Sequence, residues 1–147
     1  MKRLVRAQAF GRADILSDLR FHGRKAVDHL AKVYLYPDHT ARNHWKEEVL
    51  AHFSSVSTLK GTNRFPKLKD IYYNGCEGHL DTLSKTVRVF RKEYGEPTRK
   101  CKLQTLQMAV QDYFWWASKE LNKSGRLIGS EAYQMMDSVE SKYFGDE

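Results

Sequence analysis

Apolar residues recur with the period of an α-helix along most of this 147-residue chain, and this pattern constrains the fold more than any other feature. Five segments carry it, at about 12–35, 40–56, 66–94, 98–123 and 130–144. The prolines all fall where a segment begins or ends, as expected of a residue that interrupts helices; they are Pro37, Pro66 and Pro97. The pattern predicts an all-α, single-domain bundle of about five helices over residues 1–147.

Local signals predict where the helices start. Asp38 or Thr40, Thr98 and Ser130 are residue types that cap helix N-termini, so we expect them to start the second, fourth and fifth helices. Residues 1–10 either extend the first helix or form a separate N-terminal arm.

The third segment contains the stretch "NGCEGH" at 74–79, which interrupts the helical pattern. Asn74-Gly75 suits a left-handed helix end. We therefore expect the third helix to kink there, or to break into a short helix at 66–73 and a longer one at 78–94.

Composition favours a soluble protein of a reducing compartment. Two cysteines are too few for a disulfide framework, and no apolar run approaches the roughly 20 residues of a membrane span. Arg6 and Arg12 interrupt any apolar leader. We expect a cytoplasmic protein with no membrane association and no cofactor.

The net charge of +7 is unevenly distributed. Residues 1–25 and 85–102 each carry seven Lys or Arg against two acidic residues, whereas residues 131–147 carry five acidic residues and one lysine. Two basic clusters and an acidic tail favour a polyanionic partner such as nucleic acid.

The candidate nucleic-acid-binding residues form a stripe on the third helix, a continuation across the next turn, and a basic loop. The stripe lies opposite the apolar face and suits a phosphate backbone. Phe65 in the loop either stacks on a base or packs into the bundle. The candidates are Lys85, Arg88, Lys92, Arg99, Lys100, Lys102, Lys60, Arg64 and Lys67.

The fourth segment is apolar nearly all round, so it is either a central helix or a helix with a second contact face. Met108, Trp115 and Trp116 lie opposite its main apolar stripe. Because Trp and Met are enriched at protein interfaces, these three residues are candidates for a homodimer or protein-partner contact.

The six histidines raise the question of a metal site. His44, Glu48 and His52 are spaced by four residues and stack along one side of a helix, so they are the candidate ligands. His22 and His29 lie on one edge of the first helix, and a bundle could bring them near His52 or His79 to form a three-histidine site. The other interpretation is that His52 is a core histidine beside solvated neighbours, with no metal.

The stretch "RKAVDH", from Arg24 to His29, resembles the short Arg-x4-His motif of HEPN ribonucleases, which are small helical domains. The resemblance covers six residues, and Lys25 stands where that family often has a polar residue such as Asn. It implies RNA cleavage, usually at a dimer seam, with His29 moving a proton and Arg24 stabilising phosphate charge.

The sequence contains no phosphate-binding glycine loop, and its residues suggest no Ser-His-Asp arrangement. The sequence therefore favours a non-catalytic helical binding protein that acts on nucleic acid or on a nucleic-acid-handling partner. A small bacterial or phage regulator, or a toxin–antitoxin component, is the class it suggests. The alternatives are a HEPN-like ribonuclease and a metal-binding bundle.

Overall fold

A computed structural model describes residues 20–57 and 80–145. Within these two ranges the chain forms five helices and no strand, so the prediction of an all-α single-domain bundle is confirmed. The expected N-terminal arm at 1–10, the expected break at Asn74-Gly75 and the alternative site histidine His79 lie outside the described residues.

Helix α1 is described over residues 20–35, and four further helices follow it. They are α2 (Arg42–Ser57), α3 (Leu80–Tyr94), α4 (Leu103–Ser124) and α5 (Gly129–Phe144). Helix α4 packs against both α3 and α5, and α2 packs against α5.

The C-terminal half of α1 is surrounded by protein. Residues 30–35 are all buried, and six consecutive residues complete more than one helical turn, so no side of the helix faces solvent there. This segment includes Lys32, which is 7% exposed. Its ammonium lies 5.1 Å from the ring centroid of Trp45, 5.4 Å from that of Tyr94 and 3.4 Å from a carboxylate oxygen of Asp28. Aromatic faces and one counter-ion thus offset the cost of burying the charge.

Groups from distant parts of the chain satisfy the carbonyls at the C-terminal end of α1. Arg42 Nε donates to the Val33 carbonyl at 3.1 Å, and Arg99 Nη1 donates to the Tyr34 carbonyl at 2.8 Å. The backbone N–H of Arg99 donates to the Leu35 carbonyl at 3.0 Å. Because the last carbonyls of a helix carry partial negative charge, the two guanidinium groups stabilise this end.

Glu140 of α5 binds both of these arginines. Nη2 of Arg42 lies 2.9 Å from each carboxylate oxygen of Glu140, and Nη1 of Arg99 lies 2.7 Å from one of them. The Arg42 and Glu140 side chains are each 18% exposed and that of Arg99 is 12% exposed. This triad joins α2, α5 and the segment 95–102 at one end of α1.

The predicted helix ends are largely confirmed. Helix α1 ends at residue 35, as Pro37 requires. Helix α3 ends before Gly95, which has a φ of 84° and donates its N–H to the Arg91 carbonyl at 3.0 Å.

The predicted helix starts need correction. Helix α4 begins at Leu103, so Thr98 is not its N-cap; the Thr98 hydroxyl instead donates to the Leu35 carbonyl at 3.4 Å. Helix α5 begins at Gly129, with Ile128 rather than Ser130 in the N-cap position.

The second helix also starts later than expected. Helix α2 begins at Arg42, beyond both Asp38 and Thr40. Nδ1 of His39 accepts a hydrogen bond from the Ala41 backbone N–H at 3.0 Å just before this start.

Candidate metal centre and basic face

Helices α1 and α2 bring three histidines and a glutamate together. His22 and His29 are seven residues apart, about two turns, so they lie on the same side of α1. Glu48 and His52 are one turn apart on α2 and face them. We call these four residues the histidine cluster.

The contacts within the histidine cluster are short. Nδ1 of His22 lies 2.9 Å from Nδ1 of His52, and the rings of His29 and His52 stack with centroids 5.8 Å apart. Nε2 of His52 lies 3.6 Å from a carboxylate oxygen of Glu48. One ligand atom from each of His29, Glu48 and His52 lies within 4.8 Å of the other two.

The environment lowers the pKa of two of these imidazoles and so favours their neutral form. Burial lowers the pKa of His29 to about 4, and the nearby charge of Lys32 acts in the same direction. Burial also lowers the pKa of His52, with a further contribution from His22. Within the described part of the chain, the buried Nδ1 of His29 has no hydrogen-bond partner. Neutral imidazole nitrogen is the form that binds metal ions.

The structure separates the predicted ligand set into an inner and an outer part. Glu48 and His52 belong to the histidine cluster. The side chain of His44 is 66% exposed and lies on the other side of Glu48, where His44 Nε2 is 3.5 Å from the second carboxylate oxygen of Glu48. The sequence signal that finds the cluster is the seven-residue spacing of His22 and His29, because it puts both on the side of α1 that meets α2.

The predicted basic stripe forms an exposed surface of α3. Lys85, Arg88 and Lys92 are all exposed and lie away from the buried residues of this helix. Lys100 and Lys102 are also exposed, in the connection between α3 and α4. We call these five residues the basic face.

Other predicted nucleic-acid-binding residues stand elsewhere. Arg99 points inward, and its guanidinium pairs with Glu140 and covers the ring of Phe144 at 4.9 Å. The positive charge of Arg99 is therefore paired with Glu140 inside the fold. The predicted residues of the basic loop lie outside the described ranges; they are Lys60, Arg64 and Lys67.

A cleft of about 470 Å³ opens beside the basic face. Its wall combines apolar side chains, among them Leu35 and Leu106, with basic ones, among them Lys100 and Arg91. Arg91 pairs with Glu96, also in the wall, at 3.0 Å. The cleft thus offers apolar contact next to positive charge.

The candidate interface residues on α4 differ in exposure. Met108 is 53% exposed. Trp115 and Trp116 are half-buried and pack against the hydrophobic core, with the Trp116 ring centroid 5.5 Å from that of Tyr113. A role in a protein interface stays a prediction, and Met108 is the most accessible of the three residues.

The Arg-x4-His pair is spread around α1. Five residues correspond to about 140° around a helix, so Arg24 and His29 leave the helix in different directions. Arg24 is exposed, whereas His29 is partly buried in the histidine cluster. The resemblance to HEPN ribonucleases stays a prediction.

No protein-family model, curated protein or solved structure matches this chain. Among the helices that the structure describes, none is long and apolar enough to cross a membrane.

Proposed function

We propose that this protein is a non-catalytic helical protein that binds nucleic acid through the basic face. The observation that carries the proposal is the exposure of Lys85, Arg88 and Lys92 along one side of α3. These residues span about 10 Å of helix axis, at 1.5 Å per residue, and so can contact successive phosphates.

Two neighbouring features support the same function. Lys100 and Lys102 extend the positive charge towards the start of α4. The cleft beside them has both apolar and basic residues in its wall, so a base splayed out of a single strand can contact it while its phosphates stay on the basic face. A single-stranded segment therefore fits this surface better than a duplex does.

The test compares two variants that each remove three positive charges. Lys85, Arg88 and Lys92 are all changed to Gln in the first variant. Lys119, Lys123 and Arg126, which are exposed on and just after the C-terminal part of α4, are changed to Gln in the second. Affinity for labelled single-stranded and duplex oligonucleotides is measured by fluorescence anisotropy at several salt concentrations.

We expect the first variant to bind more weakly and to lower the slope of log affinity against log salt by about 2, because each lost phosphate contact removes roughly 0.7–0.9 of slope. The matched variant keeps most of its affinity. Equal losses in the two variants, or no binding by the unmodified protein, would refute a binding site on α3. Electrophoresis of the same RNA samples checks for cleavage, and cleavage lost on His29→Ala would assign the ribonuclease alternative instead.

A further inference from the structure

We propose that the histidine cluster binds one divalent transition-metal ion of the zinc class, with His29, Glu48 and His52 as ligands and His22 as a positioning residue. The proposal is independent of nucleic-acid binding, since it concerns α1 and α2 rather than the basic face.

The donor atoms suit such an ion. Two imidazoles and one carboxylate are common ligands of zinc and its neighbours in the first transition series. Ligands about 2.0–2.1 Å from a tetrahedral ion stand roughly 3.3–3.5 Å from one another. The donor atoms of His29, Glu48 and His52 are already within 4.8 Å of each other, so small side-chain rotations complete the site.

The hydrogen bond between His22 and His52 selects the nitrogen that binds the metal. Nδ1 of His52 lies 2.9 Å from Nδ1 of His22, while Nε2 of His52 faces Glu48. When Nε2 binds the ion, Nδ1 carries the proton and donates it to Nδ1 of His22. Metal-binding histidines commonly donate their other N–H to a hydrogen-bond acceptor, which fixes the ring and its tautomer; Nδ1 of His22 is the acceptor here.

A buried polar atom supports the same assignment. Nδ1 of His29 is buried and unpartnered within the described residues, and an unsatisfied buried nitrogen is costly. An ion bound through Nδ1 of His29 would give this buried nitrogen a partner. Three protein ligands leave a fourth tetrahedral position for water or another small ligand.

The test titrates Zn²⁺ into the untagged, chelator-treated 147-residue chain by calorimetry, and Co²⁺ is used as a spectroscopic substitute. We expect one ion per chain and the visible absorption of tetrahedral Co²⁺. Glu48→Gln and His29→Gln should each weaken Zn²⁺ binding by at least tenfold, whereas the control Glu47→Gln, at an exposed residue of α2, should leave it unchanged. Far-UV circular dichroism confirms that each variant is folded; Glu48→Gln keeps the test valid if His29→Gln unfolds, because Glu48 is partly exposed.

The positioning role of His22 has its own readout. His22→Ala should weaken binding about 10–100-fold and alter the Co²⁺ spectrum, and His22→Asn should recover part of the loss because its amide oxygen can accept the same proton. Absence of stoichiometric Zn²⁺ binding would overturn the site. Binding that survives Glu48→Gln and His52→Gln, or that Glu47→Gln weakens equally, would also overturn it.

Discussion

Replacing Glu140 with alanine tests the triad at the C-terminal end of α1. Glu140 is the shared counter-ion of Arg42 and Arg99, and its side chain is 18% exposed. The Glu140→Ala variant leaves two largely buried guanidinium groups without a carboxylate, although each keeps a hydrogen bond to a carbonyl of α1.

The magnitude follows from this geometry. Removing one partner of a buried ion pair costs about 3–5 kcal/mol. Because Arg42 and Arg99 keep one acceptor each and retain limited contact with water, we expect the lower end, about 3 kcal/mol of lost unfolding free energy. Glu140→Gln keeps an acceptor oxygen and removes only the charge, so we expect a smaller loss, about 1.5–2 kcal/mol.

Urea denaturation followed by circular dichroism at pH 7 measures these losses. Glu47→Ala is the control, because Glu47 is exposed in the middle of α2 and should change the unfolding free energy by no more than about 0.5 kcal/mol. If Glu140→Ala loses no more stability than Glu47→Ala, the triad does not hold this end of the fold together and the reasoning is refuted.

Two further predictions concern pH and backbone conformation. The ordinary histidine pKa is 6.5 and that of folded His29 is about 4, so between these pH values the unfolded chain binds a proton that the folded chain does not. With a chelator present, the unfolding free energy should therefore fall by about 1–2 kcal/mol as pH drops from 6.5 towards 4, a figure that allows for partial exposure of His29. Urea titrations at several pH values measure this dependence, and His29→Gln should flatten it. The charges acting on His29 are those of Lys32, Glu48, His52 and Lys25. Gly95→Ala should lower the unfolding free energy by about 1 kcal/mol because Gly95 has a φ of +84°, although nothing lies within 4 Å of the added Cβ. In Gly129→Ala the added Cβ meets only an ordinary contact at 3.9 Å, so this control should lose less stability in the same denaturation assay.

The helical class was predictable because periodicity and boundary prolines are local signals. The start of α4 was not predictable from local signals. Thr98 is a residue type that caps helices, but its hydroxyl donates to the distant Leu35 carbonyl instead. Arg99 illustrates the same limit: arginine is ordinarily a surface residue, and its inward role depends on Glu140, 41 residues later in the chain.

The histidine cluster was partly predictable. The spacing of His22 and His29 places both on one side of α1, which is a property of a single helix. Their meeting with His52 depends on how α1 and α2 pack. His44 was included in the predicted ligand set because it is two steps of four residues from His52, but those steps amount to a rotation of about 80°, and its side chain is largely exposed.

The burial of α1 has a consequence for biosynthesis. The hydroxyl of Tyr34 donates to the carbonyl of Met136, a partner 102 residues later in the chain. At about 5–20 residues per second, that partner is made roughly 5–20 s after Tyr34. Until then α1 lacks its packing contacts with α5, and it also lacks Glu140, whose carboxylate pairs with Arg42 and Arg99 at the C-terminal end of α1. A nascent chain therefore cannot reach its native packing before α5 leaves the ribosome, and a premature stop before α5 should produce an aggregation-prone fragment rather than a smaller folded protein.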